Sequence, residues 1–250
     1  MNDKINPITT LIIGTIISVC IALAGCGKDN STNPPDESEF SVFVTLDTTI
    51  IEKDFADMTP VTFEGENAIR ISDFIDIVVE EDTLYQLYAY RIIGSDGFYA
   101  HTNPGYPDNS WEEIQMGYLL TANRNAVWES SLELASRYFV DDVDTIRLIR
   151  QFDIITQSDT TPVIIEDVDT VSIEDTLCIK LTEIVLIADP QFELDTTATY
   201  TLKAADGFST DFTGSEFDTG YWSLVSKKTK FLPDLGGSSR IKGLESIIIP

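Results

Sequence analysis

Few residues in this sequence combine the types and spacing that catalysis or metal binding needs. His101 is the only histidine, and no Gly-x-Ser-x-Gly segment supplies a nucleophile for it to activate. Zinc sites need several histidine or cysteine ligands, and such a cluster is absent. The sequence therefore predicts no catalytic, cofactor-binding or metal-binding residue, and we interpret His101 as a surface-loop residue.

Acidic residues are abundant but form no recognisable metal-binding loop. The chain has 42 aspartate and glutamate residues, and its net charge is −26. Segments 141–144 (DDVD) and 166–169 (EDVD) are rich in oxygen ligands, yet neither has the spacing of an EF-hand loop. We expect solvated edge positions, with calcium binding as the alternative. The same charge would repel nucleic acid, so no nucleic-acid partner is expected.

The clearest chemical signal is at Cys26. A polar start leads into an apolar run over residues 8–24, which closes with Leu23-Ala-Gly-Cys26. This pattern resembles the lipobox of bacterial lipoprotein signal peptides, and the alternative is an uncleaved anchor helix. The resemblance implies a signal peptide at residues 1–25, acylation of Cys26 and a lipid anchor in the bacterial cell envelope. Gly27, where many inner-membrane lipoproteins have aspartate, favours the outer membrane.

The polar residues after Cys26 predict a flexible tether that extends to residue 39. With Cys20 removed and Cys26 lipidated, Cys178 is the only free thiol, so no intramolecular disulfide is expected. Cys178 is flanked by Leu177 and Ile179. We therefore predict a small buried hydrophobic residue, with a reactive thiol as the alternative.

The candidate partner-binding residues are aromatic. Tyr99, Tyr106 and Trp111 lie in or beside segment 103–109 (NPGYPDN), which is a loop by composition. Aromatic rings on a loop can stack on a sugar or anchor a protein partner. The alternative is that these rings fold back onto the protein. The predicted partners are accordingly a carbohydrate or a protein, in addition to the membrane.

Two parts of the sequence share motifs at a fixed interval. Segments 68–76 and 94–98 return in part at 178–184 and 205–208, and the interval from Gly97 to Gly207 is 110 residues. A fixed-offset match indicates related structural units. We predict two lobes, at residues 40–156 and 157–250. The first copy carries about seven extra residues, which we place near 103–109.

The predicted fold class is α+β, with two related β-rich lobes and short helices. Ser72 and Thr182 each precede an acidic residue and are predicted helix N-caps. Ser110-Trp-Glu-Glu113 predicts a capping box that opens a helix to about Leu120. The predicted strands are 40–46, 85–93, 140–155, 197–204 and 241–249, with a linker and an edge strand in 156–175.

The order of these motifs resembles the molybdopterin-binding domain of sulfite-oxidase-type oxidoreductases. The family's Gly-Val-Pro-Leu stretch corresponds to Ala68–Ile75, and its strand ending in Asp-Gly-Tyr corresponds to Ser95–Phe98. Its Leu-Ala-x-x-x-Asn-Gly segment corresponds to Tyr118–Asn125, and its closing strand to Arg137–Ile155. The second-copy counterparts are Cys178–Val185, Ala205–Phe208, Tyr221–Lys228 and Arg240–Ile249. The resemblance covers most of residues 60–249.

The departures from this family concern its chemistry. The resemblance implies a cysteine ligand to molybdenum upstream of the first motif, but residues 52–67 and 162–176 contain no cysteine. A strongly acidic chain is also a poor host for an anionic pterin phosphate. We therefore interpret the chain as a non-catalytic, surface-anchored lipoprotein that binds a ligand or protein, without a cofactor. The alternative is a molybdopterin-dependent oxidoreductase or pterin carrier, so the question of enzymatic activity stays open.

Overall fold

Strands form most of the regular structure in the part of the chain that the computed structural model describes, residues 40–46, 49–75, 85–102, 107–166 and 168–250. The strands of the first half are β1 (Ser41–Leu46), β2 (Thr49–Asp54), β3 (Val61–Phe63), β4 (Glu66–Arg70), β5 (Tyr88–Gly94), β6 (Gly117–Leu120), β7 (Ala126–Trp128) and β8 (Val143–Ile155). Those of the second half are β9 (Thr160–Ile164), β10 (Val171–Ile173), β11 (Thr176–Lys180), β12 (Thr199–Ala204), β13 (Ser209–Thr213), β14 (Gly220–Ser223), β15 (Thr229–Phe231) and β16 (Leu244–Ile248). The predicted signal peptide, Cys26 and the tether lie outside the described residues.

The predicted α+β class is wrong, because the chain is mostly β. The helices of the described residues are short: α1 (Ile71–Ile75), α2 (Trp111–Gln115), α3 (Leu181–Ala188) and α4 (Gly214–Phe217). None of the described helices is long and apolar enough to cross a membrane.

Two local predictions about helices are also corrected. The capping box at Ser110 is present, but α2 ends at Gln115 and not near Leu120. The apolar residues that follow form β6 instead, because they pair with β4 and β7 and bury alternate side chains. Ser72 and Thr182 are not N-caps: each lies inside its helix, and the N-cap of α3 is Lys180.

β8 is the central strand of an eight-stranded mixed sheet. Its first part pairs in parallel with β1 and antiparallel with β5, and its last residues pair in parallel with β16 and antiparallel with β9. Apolar side chains at Ile146, Leu148, Phe152 and Ile154 are buried, as expected for a strand inside a sheet. Two antiparallel sheets, β3-β4-β6-β7 and β10-β11-β14-β15, complete the sheet structure of the described residues.

Most predicted strands are confirmed. Segment 40–46 contains β1, segments 140–155 and 241–249 contain β8 and β16, and segment 197–204 contains β12. β5 begins three residues later than predicted, because residues 85–87 form a short 3-10 turn.

The same element order occurs twice. The β3–β4 and β10–β11 hairpins lie 110 residues apart, and the turns after β5 and β12 place Gly97 and Gly207 at φ of 83° and 88°. Each turn is closed by an aspartate that accepts a hydrogen bond from a backbone amide two residues later, at 2.9 Å. From the capping boxes at Ser110 and Thr213 onward the interval is 103 residues. The seven extra residues of the first copy therefore lie between Phe98 and Ser110. The lobe boundary between residues 156 and 157 stays a prediction.

The buried apolar residues form two clusters that meet along β8. Leu148 belongs to the first cluster and Phe152 to the second. Between them lies the buried side chain of Arg150, which donates hydrogen bonds to the carbonyl oxygens of Leu87 and Leu244. Arg150 thus links residues of the two halves.

Candidate functional site

The predicted aromatic residues contact their own half of the protein. Trp111 stacks on Tyr85 with ring centroids 4.2 Å apart, and its ring also lies 5.6 Å from that of Tyr90. The ring of Tyr99 lies 4.7 Å from the guanidinium carbon of Arg91. Tyr106 lies outside the described residues. Trp111 and Tyr99 both stay half-exposed, and their role in partner binding stays a prediction.

A buried ion pair holds the end of the predicted loop against β5. Arg91 donates from Nε and Nη2 to the two carboxylate oxygens of Asp108, at 2.8 and 2.7 Å. Its Nη1 lies 2.9 Å from Glu166, which in turn pairs with Arg147 at 2.8 Å. Burial opposes the charge on Arg91, but the hydrogen bond and charge of Asp108 outweigh it, and the pKa of Arg91 is raised.

One residue of each acidic segment makes an ion pair. Asp142 pairs with Arg124 and also accepts a hydrogen bond from Ser95, and Glu166 pairs with Arg91 and Arg147. Asp167 lies outside the described residues. Within the described ranges, no group of three or more histidine, cysteine, aspartate or glutamate residues is arranged to hold a metal ion.

His101 and Cys178 occupy the environments that the sequence predicted. His101 is exposed in a 3-10 turn at Ala100–Thr102. Cys178 is fully buried in β11, and its thiol lies 3.5 Å from the carbonyl oxygen of Thr176. Burial raises the pKa of Cys178, which disfavours the reactive thiolate.

The candidate site is a cleft of about 210 Å³ where the two halves meet along β8. We call it the junction cleft. Its lining combines aromatic rings with amides and carboxylates: Tyr88 and Trp111, Gln86 and Gln151, and Glu112, Asp153 and Glu245. The site therefore includes Trp111, one of the residues predicted from the sequence.

Each wall of the junction cleft comes from a different element. The capping box begins α2 at Trp111 and places Glu112 in the first turn of that helix. Gln151 and Asp153 are two residues apart on β8, so their side chains lie on the same face. Glu245 comes from the neighbouring strand β16.

The junction cleft carries concentrated negative charge. Burial, and then the nearby carboxylate of Glu245, raise the pKa of Asp153, while Lys203 acts in the opposite direction. Lys203 lies 3.3 Å from Glu245, so one of the carboxylates is partly neutralised. These groups can accept hydrogen bonds from ligand hydroxyls, and the amides of Gln86 and Gln151 can donate or accept.

The sequence interpretation missed Gln86, Gln151, Asp153 and Glu245 as members of one site. Gln151 and Asp153 alternate with buried apolar residues in a predicted strand, and this alternation was the available signal. Glu245 could not be added from the sequence, because its position depends on the pairing of β16 with β8.

Comparisons with known proteins give no relative. No protein-family model matches the chain, and no curated protein and no solved structure matches it either.

Proposed function

We propose that this protein is a lipid-anchored, non-catalytic binding module of the bacterial cell envelope, attached to the outer membrane through Cys26. The observation that carries the binding role is the junction cleft. Saccharides are bound by aromatic surfaces together with carboxylate and amide groups that pair with hydroxyls, and this is the chemistry of the cleft lining. The proposed ligand is therefore a carbohydrate.

The size of the junction cleft suits one small unit. Its volume of about 210 Å³ lies below the ~300–1,000 Å³ of pockets that hold drug-sized ligands. A single sugar residue, or one unit of a longer chain that extends over the surface, is the size of ligand that fits. A protein partner is the alternative class of ligand.

A molybdopterin-dependent oxidoreductase is not proposed, because the donor set of the described residues does not fit the cofactor. Cys178 is the free cysteine in this part of the chain, and its thiol is buried in β11 beside a backbone carbonyl. The cysteine ligand that the resemblance implies would have to present its thiolate to the metal, and this buried thiol does not. Stoichiometric molybdenum in protein from a host that makes the cofactor would overturn this conclusion.

The binding role is tested with a glycan array, followed by calorimetry with the saccharides that bind. Gln151→Ala and Glu112→Ala each remove one polar group of the junction cleft, and both side chains are partly or fully exposed. We expect each to weaken affinity about fivefold, since a lost hydrogen bond contributes ~1 kcal/mol. Gln191→Ala, an exposed glutamine outside the cleft, is the matched control.

Two outcomes would count against the carbohydrate proposal. If no saccharide binds, or if Gln191→Ala weakens binding as much as Gln151→Ala, the junction cleft is not a saccharide site. Retained binding in both cleft variants would place the site elsewhere on the surface.

The anchor is tested separately by replacing Cys26. In a bacterial host grown with labelled palmitate, the unaltered protein should carry label and sediment with membranes. Cys26→Ala should carry no label, because the thiol that accepts the lipid is gone. An equally labelled Cys26→Ala protein would contradict the lipoprotein assignment without bearing on the cleft.

A further inference from the structure

A larger cleft, of about 350 Å³, lies in the second half of the chain and shares no lining residue with the junction cleft. We call it the basic cleft. Its charged lining residues are Glu174, Lys228, Lys230, Asp234 and Arg240. Cations outnumber carboxylates in this lining, and the volume falls within the ~300–1,000 Å³ of small-molecule sites.

The surrounding sequence is unusual for so acidic a chain. From Lys227 to Lys242 the chain has five basic residues and one acidic residue, Asp234, although its net charge is −26. Acidic surroundings repel an anion, so a local group of cations makes this part of the surface the more favourable place for one.

The cations of the basic cleft are positioned by local contacts. Lys230 Nζ lies 2.6 Å from Glu174, and Arg240 pairs with Asp234. Asp234 also accepts a hydrogen bond from the backbone amide of Gly236 at 3.0 Å, which orders the loop that carries Arg240. Lys228 makes no ion pair within the described residues and stays exposed. One cation is thus available and two more lie beside it.

The first half of the chain supplies an internal comparison. A cleft of about 320 Å³ there includes Glu64 and Glu129, which lie 110 and 103 residues before Glu174 and Leu232 of the basic cleft. These intervals are the ones that relate the two copies of the fold, so the two clefts overlap at equivalent positions. The first-half cleft has no lysine or arginine in its lining.

The positions equivalent to the three cations lie outside the first-half cleft. Asn125 and Val127 stand 103 residues before Lys228 and Lys230. Arg137 stands 103 residues before Arg240, but it does not line the first-half cleft. The group of cations is therefore a feature of the second half and has no equivalent in the lining of the first-half cleft.

We propose that the basic cleft binds a small ligand with a phosphate or carboxylate group next to an apolar or ring portion. Arg240 can face an oxyanion with its planar guanidinium, and Lys228 supplies a point charge. Leu232, which is 41% exposed, offers apolar contact beside them. This proposal is independent of saccharide binding at the junction cleft, because the two clefts have different residues and opposite charge.

The test uses the full chain and three probes in calorimetry: pyrophosphate, citrate, and vesicles of phosphatidylglycerol mixed with phosphatidylcholine. We expect saturable binding of at least one probe, weakened by added salt because the attraction is between charges. Lys228→Gln should weaken it about tenfold, and Lys228→Gln with Arg240→Gln should abolish it. Lys53→Gln, on β2, removes one charge elsewhere and should change nothing.

The three probes identify the source of the oxyanion. Binding of pyrophosphate alone indicates a soluble phosphate, binding of citrate alone indicates a carboxylate, and binding of vesicles alone indicates a lipid headgroup. The proposal is overturned if no probe shows saturable binding, or if Lys53→Gln and the double variant lose binding equally. The altered side chains are exposed or half-exposed, so folding of the variants is checked directly by circular dichroism.

Discussion

Arg91 and Asp108 form a two-point ion pair in which 4% of the arginine side chain and 2% of the aspartate side chain are exposed. The pair joins β5 to the end of the segment that distinguishes the first copy of the fold from the second. Asn109, the next residue, exchanges two backbone hydrogen bonds with Tyr90, at 2.8 and 2.9 Å. This end of the inserted segment is therefore part of the folded structure and not a free loop.

Asp108→Ala should lower the free energy of unfolding by about 3 kcal/mol, because it leaves the charge of Arg91 buried with Glu166 alone. Urea denaturation measures the effect. Asp218→Ala is the matched control: its ion pair with Lys180 is half-exposed, so we expect a loss below about 1 kcal/mol. Equal losses in the two variants would show that burial does not increase the contribution of the Arg91 pair to the free energy of unfolding.

Gly117→Ala and Gly220→Ala should each destabilise the protein by ~1–3 kcal/mol, since each glycine lies where side chains leave no room. A Cβ at Gly117 would lie 2.7 Å from atoms of Ile71 and Trp128. A Cβ at Gly220 would lie 2.6 Å from Leu181 and 2.8 Å from Phe231, the residues at equivalent positions of the second copy.

The control for both glycine variants is Gly237→Ala. No heavy atom lies within 4 Å of a Cβ placed at Gly237, and we expect a change within about 0.5 kcal/mol in thermal and urea unfolding. Destabilisation of only one of the two test variants would mean that the copies pack differently at this contact.

Asp153→Asn should raise the free energy of unfolding at pH 7. The pKa of Asp153 is raised in the folded state, first by burial and then by Glu245, so its ionised form opposes folding. At low pH Asp153 is protonated and does not oppose folding. As the pH rises through the pKa of the folded state, Asp153 ionises and the free energy of unfolding falls. The advantage of the variant should therefore disappear below about pH 4, where Asp153 is protonated in both states.

Asp142→Asn should change the free energy of unfolding in the opposite direction, and it is the control for Asp153→Asn. Its pKa is lowered by the hydrogen bond from Ser95 and then by Arg124, so the ionised form favours folding. We expect a loss of stability at pH 7 that disappears as the pH falls through the folded pKa. Parallel pH profiles for the two variants would contradict both assignments.

Thr213→Ala should cost about 1 kcal/mol, because the threonine hydroxyl accepts the backbone N–H of Glu216 at the start of α4. Thr213→Ser keeps the hydroxyl and should retain most of the stability. If serine and alanine destabilise equally in urea, packing of the threonine methyl and not the cap accounts for the effect.

The local signals in the sequence led to correct turns, strands and one cap. The Asp-Gly pairs at Gly97 and Gly207 favour tight turns, because glycine adopts positive φ readily, and both glycines do so. The capping box at Ser110 and the burial of Cys178 were also predicted from neighbouring residues. The turns and the cap depend on contacts within a few residues, so the local amino-acid order is sufficient to determine them.

Pairing between distant segments decided the rest. Residues 117–120 have an apolar pattern that suits a helix or a strand, and their hydrogen bonds with β4 and β7 select the strand. This choice, repeated along the chain, makes the protein mostly β. The junction cleft arises in the same way, because Trp111, Gln151 and Glu245 come together only when β5, β8 and β16 join one sheet. Residue spacing does not encode that pairing, since it depends on which distant strands bury their apolar faces together.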